Sequence, residues 1–492
     1  LLLSPNHQPI HRIDIMLLAL IAIGFGLFVI SAQSATDFLI GDMTWYLNRA
    51  QLIYQGTLSR QFVYTIGYPI LVGGIDLALN DTILSGIVAN TLMLFIMMCG
   101  IYLVGILYFN RVVGWVAILL VIVNPSFLVV CRILEPNFTA MSLVIWNVLA
   151  FVWLVNRPSI LSAVCLGLIS TIMMYIRLEQ GMYFALLPLA LWMIYRKNKD
   201  IRQIIRLLAA GSSIFIIGFF FYAYIFISRS DVGSSSAFSF LALLGDTPIS
   251  WELMSRRVTD MLVAISLHWS SIFLLIGLAV IILIEKYQEI GWLLGSIVIL
   301  GYIVLFVLAI WPFPLRGLYS LPLSAILIAW GLQRLAKIHR IAFITVGLLT
   351  TAILLPNITT LVQSLDNPLR YQSDDLALNA QTLDDWLTQN GYETGQVFTP
   401  CGEIAPFSDR RFEVLFRLDL GGDVDAPNQS DSPTQLLPQL YESGRLLMLC
   451  NTPPKFQDWR TFLADPSMFG YEIQELYSHD KYTIYQIERA GE

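Results

Sequence analysis

"IGDMTWYLNRAQLIYQG", residues 40–56, follows directly on a long apolar run. Asp42, Tyr46 and Arg49 stand at i, i+4 and i+7 on one helical face, and Leu39, Met43, Leu47, Ala50 and Tyr54 form an apolar face beside it. The spacing predicts an amphipathic helix lying along a membrane surface and presenting a carboxylate there. Taken alone, Asp42 reads first as the cap of that helix, a common role for aspartate, ahead of a catalytic one.

Outward from this stretch the chain is apolar. Of 492 residues, 56% are hydrophobic and 13% charged, with a mean hydropathy of +0.68, whereas a soluble globule carries about a quarter charged residues. Runs long enough to cross ~30 Å of hydrocarbon recur through the first three quarters. About 11 spans are expected, over roughly 13–33, 82–108, 112–130, 138–155, 160–176, 181–195, 207–228, 269–284, 290–310, 317–333 and 341–362. The first is too long and too poorly flanked for a cleaved signal peptide. With the N-terminus cytoplasmic, 12 basic residues fall inside and 8 outside before residue 365, and Lys197, Lys199, Lys286 and Lys337 are all inside. This predicts an integral protein of the plasma membrane, the bacterial inner membrane by preference, with its C-terminus extracytoplasmic.

Residues 1–365 therefore read as a transmembrane domain and 366–492 as a small soluble extracytoplasmic α/β domain. In the latter, "DDLALNAQTLDDWLTQNGYE" (374–393) reads as an amphipathic helix closed by Gly391, and "QVFTP", "RLLMLC" and "YTIYQIE" read as strands. It carries 21 acidic and 9 basic residues, a balance that argues against nucleic acid as partner. Cys401 and Cys450 each follow a candidate strand, so a disulfide is expected if those strands are neighbours. Cys99, Cys131 and Cys165 read as packing residues of the spans. No spacing of His and Cys suggests a metal site; no cofactor is evident, and whether a divalent metal assists is left open.

Ionisable residues concentrate on the outer side, in short loops. The first loop carries Asp42, Arg49, Arg60 and the aromatic run "FVYTIGYP" with Tyr64 and Tyr68; the second is "CRILEPNF", with Arg132 and Glu135. The third is "YIRLEQG", with Arg177 and Glu179; His268 opens a later span, and "WPFPLRGLYSLP" holds Arg316 and Tyr319. Local alternatives exist for each: Glu135 could pair with Arg132, Arg177 with Glu179, Arg316 could reach headgroups, and His268 beside Trp269 could be an interfacial histidine. Their coincidence on one side, in order, predicts a cavity at the outer leaflet lined by carboxylates, arginines and tyrosines.

That combination suits transfer of a sugar from a lipid phosphate. The transition state has oxocarbenium character, the acceptor hydroxyl must give up a proton that a positioned carboxylate can take, and the phosphate leaving group needs arginine rather than a general acid. An extended hydrophobic groove would hold a polyprenyl tail.

The same segments resemble the GT-C membrane glycosyltransferases. "GDMTWYLNRAQLIYQG…YTIGYPILV" resembles their first outer loop, "RILEPNF" the second-loop motif, "YIRLEQGMYFALLP" a basic motif at the following outer helix end, and "FPLRGLYSLPLSAILIAWGL" a late Arg-Tyr-x-x-Pro segment. The order extends over most of residues 10–340, and the nearest relatives are the protein O-mannosyltransferases and the aminoarabinose transferases of lipid A. The resemblance implies a polyprenyl-phosphate-linked monosaccharide as donor, inverting transfer, and an extracytoplasmic glycolipid, polysaccharide or protein as acceptor. It implies Asp42 as general base, Glu135 as the second acidic residue, and Arg177 and Arg316 as ligands of the donor phosphate. Tyr46, Arg49, Tyr64, Tyr68, Arg132, Glu179, His268 and Tyr319 are then candidate sugar or acceptor contacts. Two departures, Met43 where the O-mannosyltransferases carry a second acid and the Gly317-Leu318 insertion before Tyr319, bear on subclass. The rival reading is a transporter or flippase for a lipid-linked or anionic solute, which would place ionisable groups near the bilayer midplane.

Overall fold

The computed structural model describes residues 11–30, 42–54, 65–229, 321–338, 374–392, 397–399, 412–414, 433–450 and 464–491, with 295, 319, 340–341, 344, 404–405, 408 and 461–462 besides. Helices and strands are numbered over these residues. Among the described residues, four helices are long and apolar enough to cross a bilayer: α1 (Arg12–Phe25, extended to Ile30 by a π turn), α4 (Thr82–Val104, extended to Phe109), α7 (Pro136–Asn156) and α10 (Ile201–Arg229, apolar through Tyr222). Apart from Arg12, Arg202, Arg206 and Ser213, the exposed residues of α1 and α10 are apolar, among them Met16, Leu20, Leu27, Ile217, Phe220 and Phe221. Such faces are stable against lipid and not against water. The chain is an integral membrane protein. The expected spans over 269–284, 290–310 and 341–362 lie almost wholly outside the described residues.

Three expectations change. The span placed over 112–130 is two helices, α5 (Arg111–Ile122) and α6 (Pro125–Arg132). Asn124 ends the first and caps the second, accepting a hydrogen bond from the Phe127 N–H at 3.2 Å, and Pro125 occupies the first helical position. The stretch 67–79, read as part of a loop, is helix α3 (Gly67–Leu79). Its one charge, Asp76, is buried and accepts hydrogen bonds from Thr82 and Ser85 at 3.2 and 3.5 Å. The span expected over 181–195 starts as a 3-10 turn, Leu178–Ala185, before α9 (Leu186–Asn198).

By internal contacts the chain forms two compact units, with the boundary inside α4 at Ala89 and Asn90. The first contains α1, the rest of α4, α5 to α9, α8 (Ile160–Ile176) among them, α10 as far as Tyr224, and α11 (Leu321–Ile338). Here α7 is almost wholly enclosed and joined to α8 by a short turn, which makes the two antiparallel neighbours. Asn147 of α7 donates to Ser170 of α8 at 2.8 Å, a polar tie inside the bundle. A Cβ at Gly167 would stand 2.3 Å from the Gly211 carbonyl oxygen, so α8 and α10 approach to a distance that only glycine allows. At one end of this unit Asp14, fully buried, is held by the Tyr102 hydroxyl and the Arg111 guanidinium, and Asn110 donates to Gln333 at 2.6 Å. Since α7 runs from this unit's other end and α8 returns to it, Glu135 and Arg177 share that opposite end.

The second unit contains α2 (Asp42–Ile53), α3, the first turns of α4 and the C-terminal domain. Over its described residues the domain forms a five-stranded sheet in the order β2-β1-β3-β5-β4, from β1 (Val397–Thr399), β2 (Phe412–Val414), β3 (Leu446–Cys450), β4 (Tyr471–His479) and β5 (Tyr482–Arg489). The first three strands in that order are parallel and the last three antiparallel. Helix α12 (Asp374–Gln389) packs Ala380, Leu383 and Leu387 on one face, and α13 (Pro433–Ser443) packs Leu437 and Leu440 on the other. Gly391, at φ +79°, follows α12 as expected. Strands β2 and β4 and helix α13 were not anticipated.

Candidate functional site

The residues singled out by sequence fall in both units. In the second unit the helix announced by residues 40–56 is present as α2, but it does not lie open along a surface. Met43, Tyr46, Leu47, Asn48, Arg49, Ala50, Gln51 and Leu52 are all buried, so its polar face is enclosed as well as its apolar one. The reason is a partner on each side. On one, α3 packs so closely that a Cβ at Gly73 would stand 2.5 Å from the Ala50 carbonyl oxygen. On the other, Asn48 donates to the Phe412 carbonyl oxygen at 2.7 Å. Asp42 is the first residue of α2, where the helix dipole favours an anion.

Tyr46 of α2 and Tyr68 of α3, expected only to share a loop, meet edge to face with ring centroids 6.1 Å apart. Tyr68 lies in the first turn of α3 ahead of Pro69, which fits proline's tolerance at a helix start. Both rings are buried, and Arg49 is 2% exposed.

In the first unit the corner between α6 and α7 is held by Asn90, whose amide donates to the Cys131 and Ile133 carbonyl oxygens at 3.0 and 3.1 Å. Arg132 ends α6, and Glu135 takes the capping position of α7 with Pro136 following. Asn137 joins two of the predicted residues: it donates to a Glu135 carboxylate oxygen at 2.5 Å and accepts from the Tyr319 hydroxyl at 2.8 Å. Tyr319 is fully buried. The late Arg-Tyr segment and the second-loop motif, 182 positions apart, are thus brought together. Arg177 ends α8 in extended conformation and opens the 3-10 turn. Three positions later Gln180 is fully buried, and neither polar atom of its amide has a hydrogen-bond partner among the described residues. Buried amides are nearly always satisfied, so this one is an exception that a ligand could answer.

Tyr64, His268, Arg316 and Cys401 lie outside the described residues, as do the side chains of Asp42 and Glu179. Cys450, ending β3, is disulfide-bonded, while Cys99, Cys131 and Cys165 are free thiols. Among the described residues no group of His, Cys, Asp and Glu is placed to hold a metal ion.

Sequence reasoning missed Asn137, Gln180 and Asn48. Asn137 had a readable signal, an amide in the first turn of an apolar span, where polar groups are costly and usually engaged. Gln180 and Asn48 read as ordinary polar residues of an interface, and only burial distinguishes them.

Chemically, the first unit offers a carboxylate oriented by an amide, a tyrosine fixed to the same amide, an arginine at a helix end and an unbonded buried amide. The second offers an acidic helix start beside paired tyrosines.

No family model and no curated protein sequence matches the chain. Solved structures do. The structure of ArnT from Cupriavidus metallidurans bound to undecaprenyl phosphate superposes with a TM-score of 0.61 at 10% identity, covering 97% of this chain and 98% of that one. The same enzyme in the apo state gives 0.53 at 11% identity, over 96% and 97%. The apo oligosaccharyltransferase of Archaeoglobus fulgidus gives 0.51 at 11% identity, over 89% of this chain and 70% of that one. The likeness to these structures is one of fold.

Proposed function

We propose that this chain is a membrane glycosyltransferase that moves a monosaccharide from a polyprenyl-phosphate donor to an extracytoplasmic acceptor (a glycolipid, polysaccharide or protein) with inversion. The observation that carries the reading is the end-to-end likeness to a structure holding undecaprenyl phosphate. The pairing of Glu135 and Tyr319 through Asn137 adds to it, because those are residues the resemblance had singled out.

The reaction needs few parts. The acceptor oxygen attacks the anomeric carbon from the face opposite the phosphate; the bond from that carbon to the phosphate oxygen breaks, and polyprenyl phosphate departs with the electron pair. Asp42 takes the acceptor's proton as the new bond forms, which is general-base work. Arg177 and Arg316 hold the phosphate and stabilise the charge it gains. Glu135, oriented by Asn137, contacts the sugar or the acceptor. Tyr46 and Tyr68 supply aromatic surface for a sugar ring. The enzyme lies in the plasma membrane with the N-terminus cytoplasmic and the C-terminal domain outside.

The test uses detergent-solubilised full-length chain, incubated with polyprenyl-phosphate sugars and envelope glycans extracted from cells lacking the gene. A transferase releases free polyprenyl phosphate and sugar-bearing product without any membrane present. A transporter leaves the lipid-linked sugar intact, because in detergent there are no compartments to move it between. That second result would overturn the proposal.

A further inference from the structure

Both amides of α2 are turned into the C-terminal domain. Asn48, fully buried, donates to the Phe412 carbonyl oxygen at the start of β2 at 2.7 Å, and Gln51, 3% exposed, reaches the Ser408 carbonyl oxygen at 3.4 Å. Asn48 also donates to the Gln51 side-chain oxygen at 3.4 Å, so the two amides act as a pair. The seam continues inward: the Ser408 hydroxyl donates to a buried Asp384 carboxylate oxygen at 2.7 Å, and Asp384 stands on α12, whose neighbours Leu383 and Leu387 belong to the domain core. A chain of hydrogen bonds therefore links the helix that begins with Asp42 to the centre of the soluble domain. On the opposite side α2 is fixed by α3, through the close approach at Gly73 and the Tyr54 hydroxyl donating to the Ile70 carbonyl oxygen at 3.1 Å.

We infer that the C-terminal domain is a brace for α2, and that Asn48 is a positioning residue holding the Asp42 helix turn in place. The inference rests on the assignment of Asp42 as general base. A free amphipathic helix would be held only by lipid and would rock about its axis. A general base must stay within about 3 Å of the proton it removes, and a misplacement near 1 Å can cost on the order of a hundredfold in rate. Carbonyl oxygens of a β-strand start are rigid acceptors, since the strand is locked by its ladder. Asn48 suits this use: its short amide has little freedom to lose, and burial removes competing water.

The experiment compares full-length wild type, Asn48→Leu, Asn48→Gln and Asp42→Asn in native membranes. Two quantities are read: amide hydrogen exchange of the peptide spanning 42–54, against the α7 peptide as internal standard, and the amount of sugar-bearing product in the cell envelope. Losing one buried hydrogen bond is expected to raise exchange in α2 about tenfold while α7 is unchanged. Product falls about tenfold or more with Asn48→Leu, and Asn48→Gln, which keeps the donor, restores most of both. Asp42→Asn abolishes product and leaves exchange in α2 as in wild type. Unchanged exchange with Asn48→Leu overturns the brace, as does loosened α2 with undiminished product. If Asp42→Asn leaves product intact, the general-base assignment fails by itself, and the exchange data still decide whether the domain holds the helix. Should Asn48→Leu not reach the membrane, Gln51→Leu removes the weaker bond of the seam and is read in the same way, with a smaller shift in both quantities.

Discussion

Replacing Asn137 probes a place where two sequence-distant motifs meet. Its amide accepts from the buried Tyr319 hydroxyl at 2.8 Å and donates to the Glu135 carboxylate at 2.5 Å. A neutral hydrogen bond contributes about 0.5–1.5 kcal/mol net and one to a charged group about 1.5–3 kcal/mol. Asn137→Leu, which keeps the branched shape and the number of side-chain heavy atoms, removes both and is expected to cost roughly 2–4 kcal/mol. Tyr319→Phe removes the first alone and is expected to cost about 1 kcal/mol. In the double variant the tyrosine change costs almost nothing further, because its bond has already gone, so a double-mutant cycle gives a coupling near 1 kcal/mol. The assay is denaturant unfolding in detergent, followed by the fluorescence of the tryptophans. Transfer activity falls further with Asn137→Leu than with Tyr319→Phe, since only the former releases the Glu135 carboxylate from its donor. Stability effects that add to within about 0.3 kcal/mol would refute the bridge.

Three further outcomes follow from packing and polar satisfaction. Gly73→Ala puts a methyl 2.5 Å from the Ala50 carbonyl oxygen and is expected to cost about 1–3 kcal/mol in the same unfolding assay, whereas Gly74→Ala, with its nearest contact at 3.4 Å, is nearly neutral. Arg111→Leu leaves the buried Asp14 carboxylate with Tyr102 as its hydrogen-bond donor among the described residues and is expected to lower the unfolding midpoint, by less than the loss of a fully buried pair because Arg111 is 47% exposed. Gln180→Leu relieves an unbonded buried amide and is expected to raise stability by about 1 kcal/mol or more, while product formation falls if the amide serves a ligand.

Much of the fold could be read from residue patterns because the signals are strong where burial is one-sided. The lipid-facing runs of α1, α4 and α10 declare themselves by length and apolarity, and α12, β1, β3 and β5 by periodicity and the terminal Gly391. What escaped reading did so for identifiable reasons. Asp76 interrupts the otherwise apolar stretch of α3, and its satisfaction by Thr82 and Ser85 across a turn cannot be seen from spacing. The break at Asn124-Pro125 lay within a continuous apolar run, where hydropathy outweighed a readable cap-and-proline signal. The burial of α2 depends on β2, more than 350 positions away, and no local pattern announces such a contact. Among candidate site residues, Tyr46 meets Tyr68 and Glu135 is joined to Tyr319 through Asn137, contacts that no spacing announces, and Asn137 itself carries no charge to mark it in the sequence.

The proposed chemistry turns on Asp42, whose carboxylate is removed by a change to asparagine. Cells carrying wild type or Asp42→Asn at matched membrane levels are analysed by mass spectrometry for envelope glycans, glycolipids and polyprenyl-phosphate sugars. The general-base role predicts loss of a single sugar from the envelope and accumulation of its polyprenyl-phosphate donor, which would identify donor and product together. An unchanged envelope, on a chain whose deletion does remove that sugar, would contradict it and reduce Asp42 to the cap of α2.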